Sequence, residues 1–289
     1  MATNIRTAIL LAALSGLLIV VGYLLGGMGG AIIALVFAFV MNFFSFWFSD
    51  TMVLKATGAR KVTEQQEPEL YAIVKELATQ VKMPMPKVYV VESDSPNAFA
   101  TGRNPQHAAV AATRGIMRLM PRQELKAVFA HELSHVRNRD TLASAMAATI
   151  AGAIGFLVTI AQWSMIFGGM RRDDRNGGGA IGIVALLVTI IVAPLVSALI
   201  QMAISRTREY GADESAAKTF KMPLELASAL ETLEAGVMAR PMKVNPAMSH
   251  LYIVNPLKGA NVASLFSTHP PVKERVARLR EMAKTTKRF

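Results

Sequence analysis

Apolar and polar positions divide this chain into four hydrophobic runs and two mixed regions. Between Thr7 and Ser49 no side chain is charged, and Gly26-Gly27-Met28-Gly29-Gly30 splits the stretch into runs from about Ile5 to Leu25 and Ala31 to Phe48. Each is close to the ~20 residues that cross ~30 Å of hydrocarbon. Phe43, Phe44, Phe46, Trp47 and Phe48 end the second run as an interfacial aromatic belt would. The first run is longer than a signal-peptide core and a second follows at once, which predicts an uncleaved hairpin. Two further charge-free runs, Thr141 to Met170 and Asn176 to Ser205, flank a loop from Gly168 to Gly179. Ala143, Ala147, Ala151 and Gly155 give the third run a small-residue face suited to close helix packing in a membrane. The pattern predicts four spanning helices. For the second pair a buried or shallow hairpin is the alternative, since Thr141, Ser144, Gln162 and Gln201 interrupt it.

The mixed regions carry shorter periods. Leu70, Val74, Leu77 and Val81 recur at helical spacing and predict an amphipathic helix over 64–82. Lys87-Val88-Tyr89-Val90-Val91 reads as a strand, and short strands are expected through about 87–113. Pro121 opens a further helix with Leu125, Val128, Phe129, Leu133 and Val136 on its core face. The fold class is α+β. Residues 1–49 form a membrane hairpin, 50–140 the first half of a polar domain, 141–205 a second hydrophobic hairpin, and 206–289 the second half.

Composition adds constraints. The 289 residues are 52% hydrophobic, which is high for an ordinary soluble domain. Lys55, Arg60 and Lys61 follow the second run, Arg137 and Arg139 precede the third, and Arg206 and Arg208 follow the fourth. By the positive-inside rule both polar regions face the cytoplasm, although the Gly168–Gly179 loop, with Arg171, Arg172 and Arg175, fits that rule poorly. The net charge of +11 is dispersed, without a basic stripe or interleaved aromatics, which argues against nucleic-acid binding and is explained by anionic headgroups. There is no cysteine, so any metal site is built from histidine and carboxylate.

Chemistry enters at His131-Glu132-Leu133-Ser134-His135. An H-E-x-x-H run on a helix places two imidazoles one turn apart, within reach of one tetrahedral zinc, with Glu132 positioned as general base toward the metal-bound water. A catalytic site needs a third protein ligand. The remaining histidines are His107, His250 and His269, and the stronger candidate is Glu209, which shares a helix face with Asp213 four residues on. Glu209 then ligates zinc and Asp213 accepts the spare N–H of a ligating histidine. From spacing alone, an exposed helix with pairs such as Arg206 with Glu209 remains equally open.

The H-E-x-x-H helix, the R-x-x-E-x-x-A-D segment from Arg206 to Asp213 and the flanking hydrophobic pairs resemble the HtpX family of membrane zinc metalloproteases, relatives of the prenyl-protein (CAAX) endoprotease. The likeness runs from the N-terminal hairpin to His269-Pro270-Pro271. It implies a zincin-like (gluzincin) domain holding one Zn2+ per chain on His131, His135 and Glu209, with Glu132 as base and Asp213 behind the ligands. It makes Asn97, Ala98, Phe99 and Ala100 part of an edge strand that aligns an extended peptide, and gives His269 a part in stabilising the oxyanion. Taken from the residues alone, 95–102 is a strand and turn and His269 a helix cap or surface residue. The resemblance further implies a multi-pass enzyme of the bacterial cytoplasmic membrane, its active site facing the cytoplasm, in membrane-protein quality control. Its partners would be the lipid bilayer and polypeptide substrates, misfolded or damaged membrane proteins.

Three other readings share parts of this pattern. An intramembrane site-2-type protease would have to bury Arg122, Glu124, Lys126, Arg137, Arg139 and Asp140 in hydrocarbon, at high cost. A CAAX-type processing enzyme would need prenylated substrates. A membrane scaffold with structural zinc would show a closed four-ligand site.

Overall fold

A computed structural model describes residues 2–141, 206–240, 253 and 270–286. Residues 142–205, which carry nearly all of the second hydrophobic hairpin, lie outside the described residues, as does His269. Backbone contacts divide the chain into two units, Met1–Trp47 with Met146–Gln201, and Phe48–Ala145 with Met202–Phe289.

In the first unit the described residues belong to α1 (Ala2–Ala56), which is interrupted at Gly26 and Gly27. Gly27 has φ 58° and ψ −146°, a conformation essentially closed to residues with a Cβ. The two arms approach backbone to backbone. A Cβ on Gly30 would lie 2.1 Å from the Gly22 carbonyl oxygen, and one on Gly22 would lie 2.5 Å from the Ala34 Cβ. Small residues at such crossings let helices pack closely. Leu18, Val21, Ala34 and Ala38 are buried, whereas Val20, Ile32, Ile33, Phe39 and Phe43 are exposed. Exposed apolar surface of this kind marks a contact with lipid or another protein. Among the described residues no helix is long and apolar enough to cross a membrane. The spans expected above therefore rest on sequence hydropathy.

The second unit is built on a four-stranded sheet of β1 (Arg60–Lys61), β2 (Lys87–Val91), β3 (Ala98–Thr101) and β4 (Ala109–Thr113), in the order β1-β2-β4-β3. β2 and β4 run parallel, while β1 pairs with β2, and β3 with β4, antiparallel. β3 is thereby an edge strand. Its position is set at the entrance by Asn97, whose backbone N–H donates to Thr113 Oγ1 and whose carbonyl accepts from the Thr113 N–H, both at 2.9 Å. At the exit, Gly102 (φ 130°) passes so close to a 3-10 turn, Pro105–His107, that a Cβ there would sit 2.4 Å from the His107 carbonyl oxygen.

Helices cover the sheet. The helix expected over 64–82 is α2 (Pro68–Gln80), burying Leu70, Ile73, Val74, Leu77 and Ala78. It starts later than its apolar period suggests because Pro68 takes the first-turn position that tolerates a missing N–H. After the short α3 (Arg114–Leu119) comes α4 (Arg122–Asn138), which packs against α2, β3 and a later helix, α6 (Pro223–Ala239). Surrounded in this way, α4 buries Ala127, Ala130 and Ser134 as well as its expected apolar face. The Ser134 hydroxyl is satisfied by donating to the Ala130 carbonyl at 2.8 Å. Phe129 is fully buried, so Phe129→Ala would cost about 3–5 kcal/mol. Residues 206–219 form α5 and Val272–Thr286 form α7, which packs on α6.

Candidate metal centre

Three helices contribute polar side chains to one cluster, all buried except the part-buried His135: His131, Glu132 and His135 from α4, Glu209 and Asp213 from α5, and Arg275 from α7. His131 and Arg275 are 0% exposed, Asp213 2%, Glu132 4% and Glu209 5%. So many buried polar groups persist only when paired or ligating.

The Nε2 atoms of His131 and His135 lie 3.2 Å apart. Glu209 Oε2 is 3.5 Å from His131 Nε2, and Oε1 is 3.4 Å from His135 Nε2. A tetrahedral ion with ligand distances of ~2.0–2.1 Å separates its donors by roughly 3.3 Å. The separation of the two nitrogens and the approach of one carboxylate oxygen to each are of that size, and the two-nitrogen, one-carboxylate donor set suits zinc. Each ring is held from behind: His131 Nδ1 lies 3.0 Å from Asp213 Oδ1, and His135 Nδ1 lies 3.2 Å from Asp140 Oδ2. With Nδ1–H directed at a carboxylate, each Nε2 carries its lone pair into the cluster.

Arg275 joins the later elements to this cluster. Its Nε and Nη2 donate to the two Asp213 oxygens, each at 2.8 Å, and Nη1 donates to the Ile253 carbonyl at 3.0 Å. Nη1 also lies 3.3 Å from Glu209 Oε2. Around α7, Tyr210 donates to Glu274 at 2.8 Å and the Arg278 guanidinium sits 4.1 Å above the Tyr210 ring.

Electrostatics follow from this packing. Burial raises the Glu132 carboxyl pKa and is the largest influence, while the neighbouring histidines and a hydrogen bond from the Ala100 backbone oppose it. Burial works against a charged His135, yet hydrogen bonds to Asp140 and Glu209 prevail and push it up to about 10. His131 is raised likewise, with Asp213 and Glu209 outweighing burial. Burial alone would raise Asp213, but the Arg275 charge and its hydrogen bonds hold it down at about 2. These directions describe the metal-free cluster.

Residues 64–283 match peptidase family M48. The chain belongs to that family. This M48 peptidase is 53% identical over 280 residues to the Protease HtpX homolog of Pyrococcus furiosus, covering 96% of each chain. It is 50% identical over 271 residues to the Protease HtpX homolog of Aquifex aeolicus, covering 93% of this chain and 90% of that one. The crystal structure of S. mikatae Ste24p has a similar fold, with a TM-score of 0.52 and 21% identity over 84% of this chain. The M48 chain spans only 57% of the Ste24p chain, so that likeness bears on the fold alone.

Of the residues singled out from the sequence, His131, Glu132, His135, Glu209 and Asp213 converge in the M48 chain. Glu209 is buried and faces the histidines, away from the exposed pairing with Arg206 that spacing also allowed. Asn97 precedes and Ala98, Phe99 and Ala100 belong to edge strand β3, all of them buried. Sequence reasoning missed Arg275 and the contact of Asp140 with His135. Arg275 stands six residues after His269 among Lys273, Glu274 and Arg278, where it reads as one more solvated charge. Its place at i+3 in the i, i+3, i+4, i+7 set with the apolar Val272, Val276 and Leu279 is the signal that could have placed it on the buried face.

Proposed function

We propose that this M48 peptidase is a membrane-anchored zinc endopeptidase that cuts misfolded or damaged membrane proteins at their cytoplasmic parts. The observation that carries the zinc assignment is the convergence of His131 Nε2 and His135 Nε2, 3.2 Å apart, on the Glu209 carboxylate, whose Oε2 lies 3.5 Å from the first and whose Oε1 lies 3.4 Å from the second. His131, His135 and Glu209 would hold the metal, with Asp213 orienting His131. Zinc bound there supplies Lewis acidity that lowers the pKa of water toward ~7 and polarises the scissile carbonyl.

Glu132 is the base. Its carboxylate is buried beside both histidines, and its raised pKa suits a group that takes a proton from water and returns it to the leaving amine. The Ala100 N–H holds that carboxylate against β3. Because Asn97 turns both its backbone groups to Thr113, strand alternation turns those of Ala98 to the free edge, the side on which the Ala100 N–H already meets Glu132. A peptide adding along Asn97, Ala98, Phe99 and Ala100 would be gripped by its backbone beside the base, largely independent of its side chains. His269, on the family resemblance, helps stabilise the oxyanion.

Membrane anchoring is supported by the charge-free runs and by the exposed apolar residues of α1. The basic residues flanking those runs support a cytoplasmic active site. The test is Glu132→Gln in the full chain in detergent, with bound zinc and casein cleavage measured together. Zinc should stay near one per chain while cleavage disappears. Surviving cleavage would remove the mechanism, and loss of zinc would make Glu132 a ligand.

A further inference from the structure

The two residues that leave α4 touch opposite sides of the site. α4 stops at Arg139, which adopts a left-handed conformation (φ 62°). The chain turns there, and both following residues are buried: Asp140 is 4% and Thr141 6% exposed. Asp140 Oδ2 lies 3.2 Å from His135 Nδ1. The Thr141 hydroxyl donates to the Gly102 carbonyl at 2.7 Å, directly after the last residue of β3.

We propose that Asp140 and Thr141 form a positioning clamp, in which one corner of the chain orients His135 toward the metal and fixes the exit of the substrate edge strand. The proposal rests on the zinc-peptidase reading above. Three observations support it. First, His135 is only part-buried, with a side chain 13% exposed, and it lacks the Asp213–Arg275 backing that holds His131. Asp140 is the carboxylate placed to choose its tautomer. An imidazole with Nδ1 unrestrained divides between tautomers and ring orientations, and only one of these directs an Nε2 lone pair at the ion.

Second, the burial of Asp140 is expensive unless the charge is used. Its carboxylate is used on His135, with Oδ2 3.2 Å from Nδ1. Third, β3 is secured to the catalytic helix at one point by Ala100 and Glu132, and Thr141 supplies a second point beyond its end. Gly102 cannot move closer to the following turn, since it already sits against His107. With both points fixed, the edge keeps one register relative to Glu132.

Asp140 and Thr141 are positioning residues, and their effects separate. Zinc affinity is measured by chelator competition on the full chain in detergent, and kcat and KM on an extended peptide at saturating zinc. Asp140→Asn, which preserves shape, should weaken zinc ~10–100-fold, as changes behind a ligand do, with Asp140→Ala at least as severe and Asp140→Glu partly restoring it. Thr141→Val should leave zinc affinity within about twofold and raise KM roughly 5–10-fold, the scale of one hydrogen bond, while Thr141→Ser restores KM. Zinc binding within twofold of wild type in both Asp140→Asn and Asp140→Ala overturns the clamp at His135. An unchanged KM in Thr141→Val overturns it at β3. A wild-type protein that binds no zinc, or whose cleavage ignores a chelator, instead overturns the peptidase site on which the clamp depends.

Discussion

Replacing Arg275 with Met removes a guanidinium that is fully buried among Asp213, Glu209 and His131 while keeping much of its volume. The two 2.8 Å bonds to Asp213 make this a bidentate pair with charge centres about 4 Å apart. At an effective dielectric of ~20 their attraction is about 4 kcal/mol, and breaking a buried pair from one side typically costs ~3–5 kcal/mol. For a unit of this size, at ~2–4 °C per kcal/mol, the metal-free variant should melt roughly 10 °C lower. Circular dichroism in detergent measures this. The sign with pH is also determined. In wild type the depressed Asp213 contributes stability above its unfolded pKa near 4, lost as pH falls through about 2. In Arg275→Met the abandoned carboxylate is raised, so mild acid should stabilise the variant relative to pH 7.5. Adding Asp213→Asn removes the stranded charge and should recover on the order of 2 kcal/mol, a non-additivity expected of contacting residues. A variant within ~1 kcal/mol of wild type, or strict additivity in the double mutant, refutes the reasoning.

Further outcomes follow from the same geometry. Glu209→Ala should lose both zinc and cleavage, whereas Asp213→Asn should weaken zinc by ~10–100-fold; tight binding by Glu209→Ala would name another third ligand. Zinc must displace protons from the raised histidines, so uptake at pH 7.5 should release protons, seen as buffer-dependent heats in calorimetry. The metal-free chain should be most stable below pH 6.5 with respect to His135, and lose that contribution as pH rises through about 10. The chain has no cysteine, so Asn176→Cys gives a clean topology readout. In intact cells it should react with an impermeant maleimide while Thr63→Cys stays protected; labelling only after lysis would indicate two spans.

Local signals in the sequence located the H-E-x-x-H helix and the Glu209–Asp213 pair, while the choice of Glu209 over an exposed pairing with Arg206 came from the family resemblance. H-E-x-x-H and the four-residue step from Glu209 to Asp213 each depend on one helix, and helical period is visible in a short window. Strand existence was legible for the same reason. Pairing was not: β2 and β3 are neighbours in sequence but are separated in the sheet by β4, because Asn97 and Thr113 bond across the gap. Arg275 and Asp140 were missed because their importance comes from partners, 62 residues away for Arg275 to Asp213 and across a left-handed turn for Asp140 to His135.

The division of the cluster between α4 and α5 also governs when the protein can act. A growing chain that has reached Asn138 already contains both histidines and the base, and it folds against whatever has been made so far. Glu209 follows only after 70 intervening residues, about 4–14 s at ~5–20 residues per second. Arg275 comes later again. On the proposed ligand set, the nascent chain throughout that interval carries the H-E-x-x-H signature without its third ligand, and a fragment released early is expected to be inert. Dividing the proposed donors along the chain would thus act as a timer, withholding hydrolytic activity until Glu209 has been made and has folded against α4.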